Sequence, residues 1–230
     1  MEGIIVAITT HNRPELFKKC FESWQKHLPQ GAKLFVVDDA SDTIYCEADY
    51  RFEENVGVAV AKNKCIELAH NNNFSHLFLV DDDVICKSSD WYKPYVESGE
   101  DHLQYIFPVG SKWKDLKLKE VGRTGGIVGY NNTKGTLLYL TRKCVETIGF
   151  MRKFGRFGGE HRDYSIRAHK AGLSTFMFGD VVDSNRYFDA LDALVTHRSS
   201  LPPNIREHHL REANIKQKNS SHLPLFEPYT

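Results

Sequence analysis

Apolar residues along this chain come in short runs that stop abruptly at polar clusters. Residues 4–8, Ile-Ile-Val-Ala-Ile, are unbroken by any polar position and end at Thr9, Thr10, His11 and Asn12. Such a run predicts a strand covered on both faces. Pro14 then opens a stretch in which Leu16, Cys20, Phe21 and Trp24 recur at helical spacing, with proline at the start, where its fixed φ suits a helix. The same logic predicts a second strand over 33–37 ending at Asp38 and Asp39, a helix over 59–69, and a third strand over 77–80 ending at Asp81, Asp82 and Asp83. Strand, helix, strand, helix, strand implies a parallel sheet with right-handed crossovers. Polar residues follow all three strands, at the carboxyl edge where ligands of open α/β sheets bind.

The pattern then loosens. Residues 90–123 mix charge and aromatics without a clear period, and residues 111–123 carry five Lys/Arg against two acids, as a solvated loop or edge strand would. The glycine-rich stretch 124–130 predicts a turn or a mobile loop. Further elements are expected at 136–140 (strand), 142–148 (a helix capped by Gly149), 163–171 (a helix ending at Gly172) and 174–178 (strand). Beyond Ser199 the apolar period fades, Pro202-Pro203 breaks the chain, and one short helix over 205–216 is expected. The organisation read from this is a catalytic domain over 1–198 and a polar extension over 199–230 packing on or near the site.

Composition narrows the classes. Thirty basic and thirty acidic residues leave a formal net charge of zero, so no global field draws the protein to nucleic acid or membrane. Nothing in the first residues resembles a signal peptide, and no apolar run approaches the ~20 residues of a membrane helix; a cytoplasmic protein is expected. Five cysteines without a Cys-x-x-Cys pair argue against a disulfide framework or zinc site and fit small buried side chains.

Three acidic features carry candidate chemistry. Asp81-Asp82-Asp83 follows a buried strand, where adjacent carboxylates repel. A hard divalent cation relieves that conflict and bridges carboxylates to phosphates; a solvated acidic turn is the alternative. Asp38-Asp39 can accept hydrogen bonds from a base or ribose, or else cap a turn with Ser41 and Asp42. Gly158-Gly159-Glu160-His161-Arg162-Asp163 places titratable groups at the mouth of a helix. Glu160 or His161 could take a proton from a hydroxyl, whereas Asp163 could merely serve the helix terminus.

These segments together resemble glycosyltransferase family 2. The stretch from Val6 to Pro14 resembles that family's first strand and loop, and Phe35-Val36-Val37-Asp38-Asp39-Ala40-Ser41 its second strand. Asn55-Val56-Gly57 with Ala61-Lys62-Asn63 is similar to its Asn-x-Gly…Ala-Arg-Asn segment, with Lys62 for arginine. Leu79-Val80-Asp81-Asp82-Asp83 resembles its Asp-x-Asp strand, and the segment from Glu160 to Arg167 its Glu-Asp-x-Asp helix. Order and spacing hold over residues 4–180. The resemblance implies an α/β chain with a GT-A, Rossmann-like α/β/α sandwich and a mostly parallel central sheet.

It also implies a metal-dependent transfer of a sugar from a nucleoside-diphosphate donor, most naturally a UDP-sugar, to an acceptor hydroxyl with inversion. Thr9, His11, Arg13, Asp38, Asp39, Lys62, Asp81 and Asp82 would line the donor. Asp83, with His197 of the C-terminal part, would hold Mn²⁺ or Mg²⁺. The family's usual base is the Asp after the Glu; here His161 stands there. An imidazole with an ordinary pKa near 6.5 could serve, so Glu160, His161 and Asp163 all remain candidate catalytic groups. The glycine-rich 122–129 could be a lid or a plain hairpin. A glycan is the favoured acceptor; a hydroxylated DNA base is a second possibility, since residues 111–123 and the basic tail could meet phosphates. Competing classes are an inactive nucleotide-sugar binding module and a nucleotidyltransferase, although the latter normally has glycine in its first loop, absent from residues 9–13.

Overall fold

The computed structural model describes residues 3–106, 118–191 and 203–229. Its centre is a six-stranded sheet. β1 (Ile4–Thr10), β2 (Lys33–Asp38), β3 (Tyr50–Arg51) and β4 (His76–Asp81) are mutually parallel in the order β3-β2-β1-β4. Helices α1 (Pro14–His27) and α2 (Val58–Asn71) supply the crossovers. A short β5 (Val84–Cys86) follows β4, and α3 (Lys93–Val96) precedes β6 (His102–Gln104).

The unbroken apolar runs are explained by two covered faces. Ile4, Val6 and Ile8 of β1 join Phe17 and Trp24 of α1 in one core; Ile5 and Ala7 join Ala61, Cys65 and Ala69 of α2 in the other. Alternate residues of one strand thus enter opposite layers, as the pleat requires.

Residues 124–130 belong to a hairpin: β7 (Glu120–Thr124) and β8 (Ile127–Tyr130) turn at Gly125-Gly126. β9 (Leu137–Thr141) runs antiparallel between β4 and β6, and α4 (Arg142–Ile148) ends at Gly149 as expected. Next come α5 (Glu160–Lys170), β10 (Gly179–Val181) and β11 (Phe188–Ala190).

Two expectations are corrected. Residues 174–178 form no strand; Phe176 instead packs on the hairpin, where a Cβ at Gly129 would come within 2.5 Å of its ring. Pairing starts five residues later than the expected start at Ser174, at Gly179. And α5 begins at Glu160 rather than Asp163, which brings Glu160 and His161 into its first turn.

The last described segment is α6 (Pro203–Asn219) followed by a tail. Leu210 and Gln217 lie over Gly158 and Gly159: added Cβ atoms there would meet them at 2.9 and 3.1 Å. The tail then binds α4 and the following loop through Glu227 N–H to Ile148 O (2.9 Å), Phe150 N–H to Glu227 O (3.0 Å) and Tyr229 Oη–H to Val145 O (2.9 Å). Among the described residues no helix is long and apolar enough to cross a membrane.

Candidate active site

Parallel register aligns the polar strand ends. Thr9 lies opposite Asp81, and Thr10 opposite Asp38. The three loops leaving this edge interlock. The Asp39 carboxylate accepts Val56 N–H (2.7 Å), Gly57 N–H (3.0 Å) and the Asn55 amide (3.0 Å), clamping the loop after β2 to the start of α2. Asp38 is fully buried, with Ser41 N–H (3.0 Å) and Oγ–H (2.6 Å) on one oxygen and Arg51 on the other. Both carboxylates expected along the nucleotide therefore act as loop anchors here. His11 is held beside them, its Nδ1 2.7 Å from Asp39 O.

The acidic triplet splits into three environments. Asp82 turns inward, accepting Thr10 Oγ–H (2.8 Å) and pairing with Arg13. Burial raises its pKa while Arg13 pulls it down. Arg13 also reaches to 3.6 Å from Asp83. Burial works against the guanidinium's charge, but Asp82, Asp83 and Asp81 outweigh it and raise its pKa. Thr10, rather than Thr9, is the hydroxyl that holds Asp82 in its buried position. Asp83 is buried, and its carbonyl accepts Leu191 N–H (2.8 Å).

Asp81 turns the other way, towards α2. Lys62, with no exposed side-chain surface, donates to Asp81 Oδ1 at 2.7 Å, while the Asp81 side chain keeps 29% exposure. An ammonium so desolvated requires a counter-charge, and the Asp81–Lys62 pair supplies it at the sheet edge.

Glu160 and His161 are delivered to this pair by the chain before α5. Arg156 O accepts Val58 N–H (3.1 Å), and a Cβ on Gly57 would sit 2.5 Å from that oxygen, so only glycine permits the approach. Arg156 Nε–H also donates to Asn55 (2.9 Å). Asn63 grips the Met151 backbone with both its amide atoms, at 2.8 and 2.9 Å. With α2 and the 151–159 segment fastened together, the buried Glu160 feels the charges of both Lys62 and Asp81. Burial raises its pKa, against the pull of nearby backbone N–H groups and Lys62.

His161 sits 3.9 Å from Glu160 Oε1 through Nδ1, and its side chain is 12% exposed. Burial, aided by Lys62 and opposed by Asp81, lowers its pKa to about 3. The ordinary imidazole pKa expected from sequence is thus corrected: this ring stays neutral near pH 7 and is a weak base. Its Nε2 is buried without a hydrogen-bond partner. The ring rests on Gly135, where φ is +73° and an added Cβ would lie 1.9 Å from Nδ1. No pattern in the sequence marks Gly135 as a partner of His161.

Asp163 lies apart. It accepts Arg167 Nε–H (2.7 Å) and pairs with Arg152 at 3.4 Å, and it is 4% exposed. Arg167 further binds Ile148 O, Phe150 O and Leu225 O. The structure therefore makes Asp163 the hub of a buried arginine network.

No group of three His, Cys, Asp or Glu side chains poised for a metal occurs among the described residues. A cation shared between one carboxylate and a diphosphate needs less from the protein, and the buried Asp83 carboxylate is a hard oxygen donor of the kind such a cation takes. His197 and Arg198 lie outside the described residues, as does the basic stretch 111–117.

Comparison with known proteins agrees with this geometry. The chain is 32% identical over 154 residues to an uncharacterized glycosyltransferase of Acanthamoeba polyphaga mimivirus, the match covering 61% of this chain and 56% of that protein. The chain thus spans little more than half the length of this curated relative. Among solved structures, the mannosyltransferase PcManGT of Pyrobaculum calidifontis, in complex with GDP-Man and Mn²⁺, superposes with a TM-score of 0.55 at 12% identity over 96% of this chain and 76% of that one. TarS 1–349 of S. aureus gives 0.53 at 16% over 96% and 73%. A mutant Drosophila β-1,4-galactosyltransferase 7, with manganese, UDP-Gal and xylobiose, gives 0.54 at 13% over 91% and 81%. At these identities the structural matches establish a shared GT-A-like fold. The family model described as Glycosyl transferase family 2 matches residues 5–153, well over half of the sequence, and the chain belongs to that family.

Proposed function

We propose that this chain transfers a sugar from a nucleoside-diphosphate donor, a UDP-sugar, to an acceptor hydroxyl, with Glu160 as the catalytic base. The observation that carries the reading is the meeting of Glu160 and His161 with the Asp81–Lys62 pair at the carboxyl edge of the sheet. Two structural relatives hold a nucleotide sugar together with manganese, which supports the donor class.

In this reading the acceptor hydroxyl attacks the anomeric carbon from the face opposite the diphosphate, and its proton passes to a Glu160 oxygen. The C–O bond to the diphosphate breaks as the new one forms, so configuration inverts. Burial raises the basicity of Glu160 towards that of a useful base. His161, held neutral, orients a hydroxyl through its buried Nε2. Lys62 fixes Asp81 facing the donor, and Arg13 places its positive charge beside Asp83. Asp83, with His197 proposed as a further ligand, would hold Mn²⁺ or Mg²⁺ against the diphosphate; the cation would supply charge neutralisation of the leaving group. A glycan hydroxyl is the proposed acceptor.

The test is a donor panel with Mn²⁺, read by diphosphate release and by thermal shift, with Glu160→Gln and Asp83→Ala alongside. One donor should release diphosphate, and Glu160→Gln should lower the rate by about 10²–10⁴-fold while keeping the donor-induced shift. Undiminished release in Glu160→Gln would remove Glu160 from the role of base. A panel without any donor response would sink the donor reading itself.

A further inference from the structure

The C-terminal segment and α5 enclose a second cleft, of about 250 Å³. Of its lining residues, Arg152, Arg162, Arg167, Lys170 and Lys218 are basic, and Asp163 alone is acidic. In a chain whose formal charge sums to zero, this is a concentrated local excess.

The five cations differ in what already holds them. Arg152 and Arg167 are buried; they neutralise Asp163, and Arg152 also pairs with Glu227 at 2.8 Å. They form the rigid back of the cleft. Arg162 lies over the Phe178 ring at 5.1 Å and donates to the Asn132 amide oxygen at 2.8 Å, with no carboxylate partner among the described residues. Lys170 and Lys218 are exposed at the rim, one from α5 and one from α6, and among the described residues neither pairs with an acid. The hydroxyls of Ser220 and Ser221 complete the lining.

Three cations without carboxylate partners among the described residues line one cleft from two chain segments, and an anion between them would relieve their mutual repulsion. Guanidinium, ammonium and hydroxyl donors together match a tetrahedral group with several acceptor oxygens. We propose that this cleft is a binding site for a phosphate group carried by a small molecule. The volume suits a compact ligand, at or below the low end of small-molecule pockets.

The site is distinct from the candidate active site. Asp163, Ile166 and Lys170 line the cleft, whereas His161 turns to Gly135. Lys170 stands ten residues from Glu160, about 15 Å along the helix. The ligand would bridge α5 to the C-terminal segment, fastening α6 over the glycines that precede Glu160. The inference does not rest on the transfer reaction.

The full chain, in EDTA so that divalent metal does not contribute, would be treated with an amine-reactive ester and each lysine's modification rate read by mass spectrometry. The probes are inorganic phosphate and a hexose 6-phosphate, against sodium chloride at matched ionic strength. At saturating probe, modification of Lys170 and Lys218 should slow by about tenfold, while the exposed Lys18 and Lys19 of α1 keep their rates. Equal protection by both probes identifies the phosphate group itself as what is recognised; protection by the ester alone identifies a phosphorylated sugar. In Lys170→Ala/Lys218→Ala, whose side chains are exposed and leave the core intact, the midpoint of the phosphate-induced thermal shift should rise about tenfold, as expected for losing charged hydrogen bonds. No selective protection, or an unchanged midpoint, overturns the proposal.

Discussion

Replacing Gly135 by alanine tests the packing that sets His161. The new methyl would lie 1.9 Å from Nδ1, 2.4 Å from Cγ and 2.7 Å from Cβ of His161, all inside contact distance. The backbone there has φ +73°, where an L side chain costs about 1–2 kcal/mol. Displacing the ring adds about 1–3 kcal/mol, the usual range for overpacking. Gly135→Ala should therefore lower stability by about 2–5 kcal/mol in urea unfolding followed by linear extrapolation. The two contributions separate in a cycle with His161→Ala. If the ring is the obstacle, Gly135→Ala in the His161→Ala background should lose the clashes with Nδ1 and Cγ, keep the one with Cβ at 2.7 Å, and so cost less than in the parent by a coupling of about 1–3 kcal/mol. Activity should fall in Gly135→Ala as well, since the displaced ring lies beside Glu160. Additive stability losses, within about 0.5 kcal/mol, would refute the contact and with it the account of how His161 is positioned.

Three further outcomes are expected. Asp81→Asn strands the buried Lys62 ammonium and should cost about 2–3 kcal/mol in chemical denaturation, less than the ~3–5 of a fully buried pair because Asp81 is partly exposed. Asp163→Asn removes the charge that matches Arg152 and Arg167 and should cost about 3–5 kcal/mol, yet the folded variant should keep its kcat, because the Asp163 carboxylate is engaged by those two arginines; a collapse of kcat with unchanged stability would reverse that assignment. His102, buried with its ring on Tyr139 O and Ser165 Oγ, has its pKa lowered by burial to about 4. The unfolded chain then binds the proton first, so stability is full above pH 6.5 and is lost as pH falls towards 4. That loss is about 2 kcal/mol at pH 5, and the stability difference between parent and His102→Gln, measured at pH 5 and 7.5, should shrink accordingly.

Much of the fold was legible in the linear pattern because the main strands are covered on both faces. Ile4 to Ile8 and Leu77 to Val80 have no polar interruption since alternate residues enter different cores, and that need not wait for tertiary detail to be visible. Pro14 placed the start of α1 and Gly149 the end of α4, and α2 was read to within two residues at each end. The hairpin at Glu120–Tyr130 and the late start of β10 were less legible, because their pairing depends on Phe176 finding two glycines far away in sequence.

The site divides along the same line. Residue type and order alone selected Asp81, Asp83, Lys62, Glu160 and His161, since strand-end carboxylates and a glycine-led helix mouth are local features. What each touches was decided by neighbours between 16 and 72 residues away. Thr10 and Arg13 turn Asp82 inward, Lys62 claims Asp81, and Val56, Gly57 and Asn55 use up Asp39. Desolvation separated Glu160 from His161 as bases, raising the one pKa and lowering the other, and burial is a property of the packed chain. A sequence specifies which groups can carry charge; only the folded molecule determines the partners and the dielectric that decide whether they do.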